Sequence, residues 1–183
     1  MGGGGSTAKA KPKFSQKYMI AGELGRGAFS VVRLGVDKVN GEKRAIKIIQ
    51  KKDLNSEDLS SLQDEINILK CIDHKNIIKL FETFEEGNEL FMVTELVEGG
   101  ELFDRIVAKT SYTEKEARDV IRVVLETIAA LHDMDIVHRD LKPENLLLCS
   151  GAYLSLLPPS AFKGSPNAYS VAGHVSDDIS NLD

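Results

Sequence analysis

Residues 18–24 and 30–36 alternate apolar and polar positions in the manner of β-strands, joined by Gly25-Arg26-Gly27-Ala28-Phe29. Residues 43–50 read as a third strand, with Lys47 set inside its apolar run. The period then changes. Leu59, Leu62, Ile66 and Leu69 recur at helical spacing and predict a helix over 56–71, with Ser56 as N-cap and Glu57 and Asp58 at its positive end. Residues 77–84 and 90–95 are two further strands around the turn Glu85-Glu86-Gly87-Asn88. A short helix is predicted over 101–109. The capping box Thr113-Glu114-Lys115-Glu116 opens a long one, whose apolar stripe is Ala117, Val120, Ile121, Val124, Leu125, Ile128 and Leu131. Ile136-Val137 leads into a polar stretch, residues 138–145, closed by the apolar run Leu146-Leu147-Leu148. The pattern is α+β: a five-stranded antiparallel sheet with one main helix, followed by a helical part.

Composition changes this picture little. A chain of 183 residues predicts one domain with tails. Apolar content of 42% and charged content of 28% are ordinary for a globular protein, and a net charge of -5 carries no nucleic-acid footprint. No apolar run is long enough for a transmembrane helix, and no apolar segment follows the N-terminus as in a secretory signal. Cys71 and Cys149 lack metal-ligand spacing and read as buried or inert thiols of a reducing compartment, which places the chain on the cytoplasmic side. Residues 1–17, rich in Gly and Lys, are expected to be a disordered basic tail. Met1-Gly2-Gly3-Gly4-Gly5-Ser6 fits the N-myristoylation pattern, and Lys9, Lys11, Lys13 and Lys17 supply the second signal that a single acyl chain needs at an inner membrane surface. The same glycine run also reads as a flexible linker.

Three stretches carry chemistry. Gly25 and Gly27 let backbone approach a phosphate with no Cβ in the way, and a strand rather than a helix follows them, so a hairpin is favoured over a dinucleotide-binding turn. Lys47, inside an apolar strand, must find an anion or snorkel to water. His138-Arg139-Asp140-Leu141-Lys142-Pro143-Glu144-Asn145 fixes an acid, a lysine and an amide within six residues.

That last stretch matches the protein-kinase catalytic loop, H-R-D-x-x-x-x-N. Ala45-Ile46-Lys47 resembles the kinase V-A-I-K lysine motif, and Leu24-Gly25-Arg26-Gly27-Ala28-Phe29-Ser30-Val31-Val32-Arg33 the glycine-rich loop, with Ser30 in place of the third glycine. With Gly99-Gly100-Glu101-Leu102-Phe103, these make residues 18–148 similar to the first half of a Ser/Thr protein kinase domain, nearest the calcium/calmodulin-dependent group. The resemblance implies ATP and magnesium as cofactors and Ser/Thr protein substrates. It implies Asp140 as base toward a substrate hydroxyl, Lys142 and Lys47 at the phosphates, Glu65 orienting Lys47, and Asn145 as magnesium ligand. Leu24, Val32, Ala45 and Leu147 would enclose adenine, Thr94 would stand at the back of that pocket, and Glu95-Leu96-Val97 would be the hinge. Gly99-Gly100 would let the chain pass close to the nucleotide. Glu101 and Glu144 resemble the acids that read arginine upstream of a phosphosite. Leu69, Leu80 and His138 would belong to the side-chain stack that ties the lobes together. The implied division is an N-lobe at 18–94, a hinge at 95–100 and the start of a C-lobe at 101–149.

After Cys149 the likeness is expected to stop. Neither D-F-G, whose aspartate holds magnesium in kinases, nor A-P-E occurs in the chain. Residues 150–183 carry only Lys163, Asp177, Asp178 and Asp183 as charges, and are expected to be a non-homologous, disordered tail. The stripe of the long helix would then lie exposed and leave the lower half aggregation-prone or partner-dependent. The function expected by family is ATP-dependent Ser/Thr phosphorylation, with little or no turnover by this chain. The alternatives are a non-catalytic truncated form that binds nucleotide weakly or competes for a kinase's partners, and a mis-predicted gene product.

Overall fold

The computed structural model describes residues 12–27, 29–109, 111–149 and 154–156. β1 (Tyr18–Arg26), β2 (Ser30–Asp37), β3 (Lys43–Gln50), β4 (Leu80–Glu86) and β5 (Glu89–Thr94) form one antiparallel sheet in the order β1-β2-β3-β5-β4. The last two strands are shifted from the predicted 77–84 and 90–95. Ile77 and Ile78 are instead taken by a different partner, described below.

Directly opposed residues of a sheet share a face. The register sets Val32 opposite Lys47 and Lys47 opposite Met92, and likewise Leu34 opposite Ala45 and Ala45 opposite Thr94. This face carries the helix α2 (Ser56–Cys71), whose Leu62, Ile66 and Leu69 close over Ile49, Leu80, Leu90 and Met92. The cap of α2 is Asn55, not Ser56: its side chain accepts the Asp58 amide at 2.8 Å. Asn and Ser are equally good caps, so composition alone could not separate the two positions.

The opposite face is closed by a short helix, α1 (Phe14–Lys17), inside the stretch expected to be a disordered tail. Phe14 is 4% exposed and stacks on Phe91 at 4.3 Å between ring centroids and on Tyr18 at 5.5 Å. The Tyr18 hydroxyl and Lys17 both donate to Glu82. Burial and this carboxylate hold the Tyr18 hydroxyl far above its ordinary value. One aromatic ring with a sheet face to cover outweighs the Gly- and Lys-rich sequence before it.

The second half has α3 (Leu102–Lys109), α4 (Glu114–His132), and a hairpin of β6 (Leu146–Leu148) and β7 (Leu154–Leu156). β7 corrects the expectation that ordered structure ends at Cys149. The Leu156 carbonyl accepts from Ile78 N at 3.1 Å and its amide donates to Asn76 O at 2.7 Å. Its side chain is fully buried with Leu102, Leu146 and Leu148, against Val120, Val123 and Val124 of α4. The α4 stripe is therefore half covered. Leu131 is fully buried and Val120 and Val124 are partly so, whereas Ile121 and Leu125 remain 55% and 60% exposed. Among the described residues an apolar groove of about 510 Å³ lies between α3, α4 and the turn before β6, lined by Leu102, Ile106, Tyr112, Val120, Ile121 and Leu141. Among the described residues no helix is long and apolar enough to cross a membrane.

The predicted capping box of α4 is present. Thr113 Oγ1 accepts from Glu116 N at 3.2 Å, and Glu116 Oε2 accepts from Thr113 N at 3.0 Å. The Lys109 ammonium first, and the Thr113 bonds next, pull the Glu116 carboxyl down to about 2. Its contribution is present above the ordinary glutamate range and lost as pH falls toward that value. Thr113→Ala should cost about 1 kcal/mol, read as a lower urea midpoint at unchanged slope.

Candidate active site

The roof of the site is the α2 face of the sheet. Gly25 pairs with Val32 across the β1–β2 hairpin after two irregularities in register, and Gly27 N donates to Ser30 O at 2.8 Å, closing the glycine turn. Val32 and Ala45 are fully buried and cluster with the partly buried Leu24 and Leu96. Leu96 has no part in the enclosure expected from sequence, although its apolar side chain between the acids of Glu95-Leu96-Val97-Glu98 was a signal. Thr94 lies beside this cluster, 1% exposed, its hydroxyl donating to the Ala45 carbonyl at 3.3 Å.

Lys47 is 2% exposed, and its Nζ lies 3.7 Å from Glu65 Oε1 on α2, itself 1% exposed. Burial pushes the Glu65 carboxyl above the ordinary range, opposed by the Lys47 ammonium. Glu65 Oε2 is buried and makes no hydrogen bond among the described residues. A buried ion pair with an unsatisfied oxygen is a poor source of stability. It does place a fixed cation on the sheet face that carries Val32, Ala45 and Thr94.

The floor is built from the polar stretch. Arg139 sits at φ 63, so the chain reverses at the loop and returns as a 3-10 turn, Pro143–Asn145, whose proline takes the first helical position. Asp140 is held on both sides. Lys142 Nζ is 3.3 Å from Oδ1, and Asn145 Nδ2 donates to Oδ2 at 2.8 Å and to the Asp140 carbonyl at 2.6 Å. Asn145 is 4% exposed, while the side chains of Asp140 and Lys142 are each 38% exposed and open to a ligand. With the amide nitrogen of Asn145 spent on Asp140, its oxygen remains as an acceptor. His138 is buried; Leu69 and Leu80 share the α2-side core.

Leu147 is fully buried in a cluster with Ile78 and Val97. Val97 thus turns its side chain into the floor, and the Glu95 amide donates to Lys79 O at 2.9 Å. Glu101 bridges to Leu147 through the backbone, and α3, which follows Glu101, packs on the turn carrying Glu144. Glu144 Oε2 is buried without a hydrogen bond among the described residues. The close approach expected of Gly99 toward nucleotide is made to protein instead: a Cβ there would lie 1.8 Å from the Leu148 carbonyl oxygen. Asp177, Asp178, Gly2 and the lysines at 9 and 11 lie outside the described residues. Cys71 is exposed rather than buried; Cys149 is half-buried, with Sγ 3.4 Å from Ser155 Oγ.

A nucleotide suits this set: a buried cation, a glycine turn and apolar surfaces above and below. Magnesium fits the described residues less well. Asn145 offers a neutral amide oxygen, and the Asp140 carboxylate beside it is already engaged by Lys142 and Asn145.

Comparison with known proteins accounts for the arrangement. Residues 18–157 match the protein kinase domain family, beyond the predicted stop at Cys149 and through β7. The chain is 51% identical over 140 residues to the calcium/calmodulin-dependent protein kinase type 1 of Macrobrachium nipponense, covering 76% of this chain and 40% of that protein. It is 52% identical over 133 residues to the protein of the same name in Caenorhabditis briggsae, covering 72% and 37%. It is 49% identical over 133 residues to myosin light chain kinase A of Dictyostelium discoideum, covering 73% and 45%. The chain thus spans about 40% of the length of such curated relatives. With the sheet, the lysine–glutamate pair and the H-R-D loop in place, the chain belongs to the protein kinase domain family, among the Ser/Thr kinases of the calcium/calmodulin-dependent group.

Proposed function

We propose that this chain is an adenine-nucleotide-holding kinase module whose family reaction is ATP-dependent phosphorylation of Ser/Thr in proteins, and that the 183-residue chain holds nucleotide without turning it over. The observation that carries it is the buried pair of Lys47 and Glu65. Such a pair costs desolvation energy, and a phosphate anion reaching Lys47 offsets that cost. Turnover fails at the metal. Leu157-Pro158-Pro159 follow β7, no D-F-G occurs, and Asn145 offers magnesium only a neutral oxygen. Glu101 and Glu144, on adjoining elements, favour substrates with basic residues upstream of the phosphosite. If Gly2 is acylated, the lysines at 9, 11, 13 and 17 add attraction to an anionic cytoplasmic membrane surface.

The test is titration of a fluorescent ATP analogue with and without magnesium. Weak binding that magnesium changes little is expected. Tight binding strengthened many-fold by the metal would overturn the reading.

A further inference from the structure

Gly99 lies against the backbone of β6 with no room for a side chain. An ideal Cβ on Gly99 would lie 1.8 Å from Leu148 O, 2.6 Å from Leu148 C and 3.0 Å from Leu148 Cβ. These are mostly backbone atoms, which cannot swing aside as the end of a flexible side chain can. The neighbouring residues fasten the same contact. Leu148 N donates to Gly100 O at 2.9 Å, Gly100 adopts φ +76, and Glu101 bridges to Leu147. Residues 99–101 therefore lie against β6 almost as a further strand. Val97, two residues before Gly99, and Leu147, one residue before Leu148, share one buried cluster with Ile78.

The geometry points to Gly99 as a positioning residue for nucleotide: the missing side chain sets how closely residues 97–101 lie on β6, and so where the floor made by Val97, Ile78 and Leu147 stands relative to Val32 and Ala45 above the base. The inference rests on the nucleotide-holding reading and assigns the fit of the base to one position outside the phosphate-handling groups. A methyl at Gly99 must push residues 97–101 off β6, which misplaces the floor of the base slot and leaves Lys47 and the glycine turn, on other strands, where they are.

The test compares the full chain with Gly99→Ala, using ATP and a ribose triphosphate lacking the base. The expected result is ATP affinity lower by about ten- to a hundredfold, the equivalent of an overpacked contact, with affinity for the base-less triphosphate unchanged. Gly22→Ala, with no heavy atom within 4 Å of its Cβ, should bind both ligands as the unaltered chain does. Equal weakening of both ligands by Gly99→Ala would mean general damage and overturn the inference, as would no change. If Gly99→Ala does not fold, hydrogen exchange on the unaltered chain decides. Linkage requires ATP to slow exchange at the Leu148 amide, and an unchanged rate overturns the assignment. If the unaltered chain binds neither ligand, the nucleotide reading falls and takes this inference with it; binding that ignores Gly99 sinks the inference alone.

Discussion

Phosphotransfer by the 183-residue chain is expected to stay at the level of its Asp140→Asn variant with basic Ser/Thr peptides as substrates. Asp140, Lys47, Lys142 and the glycine turn are all present, so the expected shortfall comes from charge and positioning. A transferring phosphoryl group is surrounded by several negative charges, and in this family metal ions are their principal neutraliser. Asn145 brings one neutral oxygen, and the residues after β7 are Leu157-Pro158-Pro159. Removing one preorganised electrostatic group costs about 2.7–4 kcal/mol, a rate loss of about a hundred- to a thousandfold. Loss of substrate positioning near Asp140 adds to it. The measurement is radiolabelled phosphate transfer at several protein concentrations. Activity that scales with protein and disappears in Asp140→Asn would sink the idea and make Asp177 and Asp178 the first suspects as metal ligands. A second arm joins to Leu156 the part of a type 1 calcium/calmodulin-dependent kinase that follows its matched segment. This graft should raise transfer by at least the same hundredfold. A graft as inactive as the parent would mean that the defect lies within residues 18–156.

How much of this was visible in the sequence depends on where the information sits. The sheet and α2 were legible because alternation and helical spacing are local, and so was the α4 capping box, which is four residues long. Lys47 stood out because a cation inside an apolar strand needs an explanation. Glu65 did so only through the resemblance: by composition it is an ordinary helix residue, and the structure sets it 3.7 Å from Lys47. Phe14 and Leu156 were assigned to tails, Phe14 because it follows a Gly- and Lys-rich run, Leu156 because the family motifs stop at Cys149 and the residues after it are rich in Ser, Pro and Gly with few charges. Each is a single side chain closing a surface made by distant strands, the α1-side face of the sheet for Phe14 and the gap between β6 and α4 for Leu156. Gly99 carried a correct signal with the wrong partner. A glycine pair says that something comes close, and only the three-dimensional structure says that it is the Leu148 backbone.

Glu65→Ala is expected to destabilise the chain by about 3–5 kcal/mol, while the joint change of Lys47→Met and Glu65→Leu should leave stability unchanged or raise it. The single substitution takes from a 2%-exposed ammonium the carboxylate 3.7 Å away and opens a hole beside Leu62, Ile66 and Leu69, which share its helix. The double substitution removes both desolvation penalties and refills the space with side chains of similar volume. A thermodynamic cycle over the four proteins, read by denaturant midpoints, should show strong coupling, since the two groups touch. The pH dependence carries a second signature. Burial raises the Glu65 carboxyl in the folded state, so the folded chain binds more protons than the unfolded one between the ordinary glutamate range and that raised value. This contribution is complete below the ordinary range and is lost as pH rises through the folded value, and Glu65→Gln should flatten that slope. The double variant also separates stability from function: folded as well as the parent or better, it should lose binding of the fluorescent ATP analogue, because no cation remains at residue 47. A double variant less stable than Glu65→Ala would show that the pair is kept for folding. One that binds nucleotide as the parent does would remove Lys47 from the phosphate site.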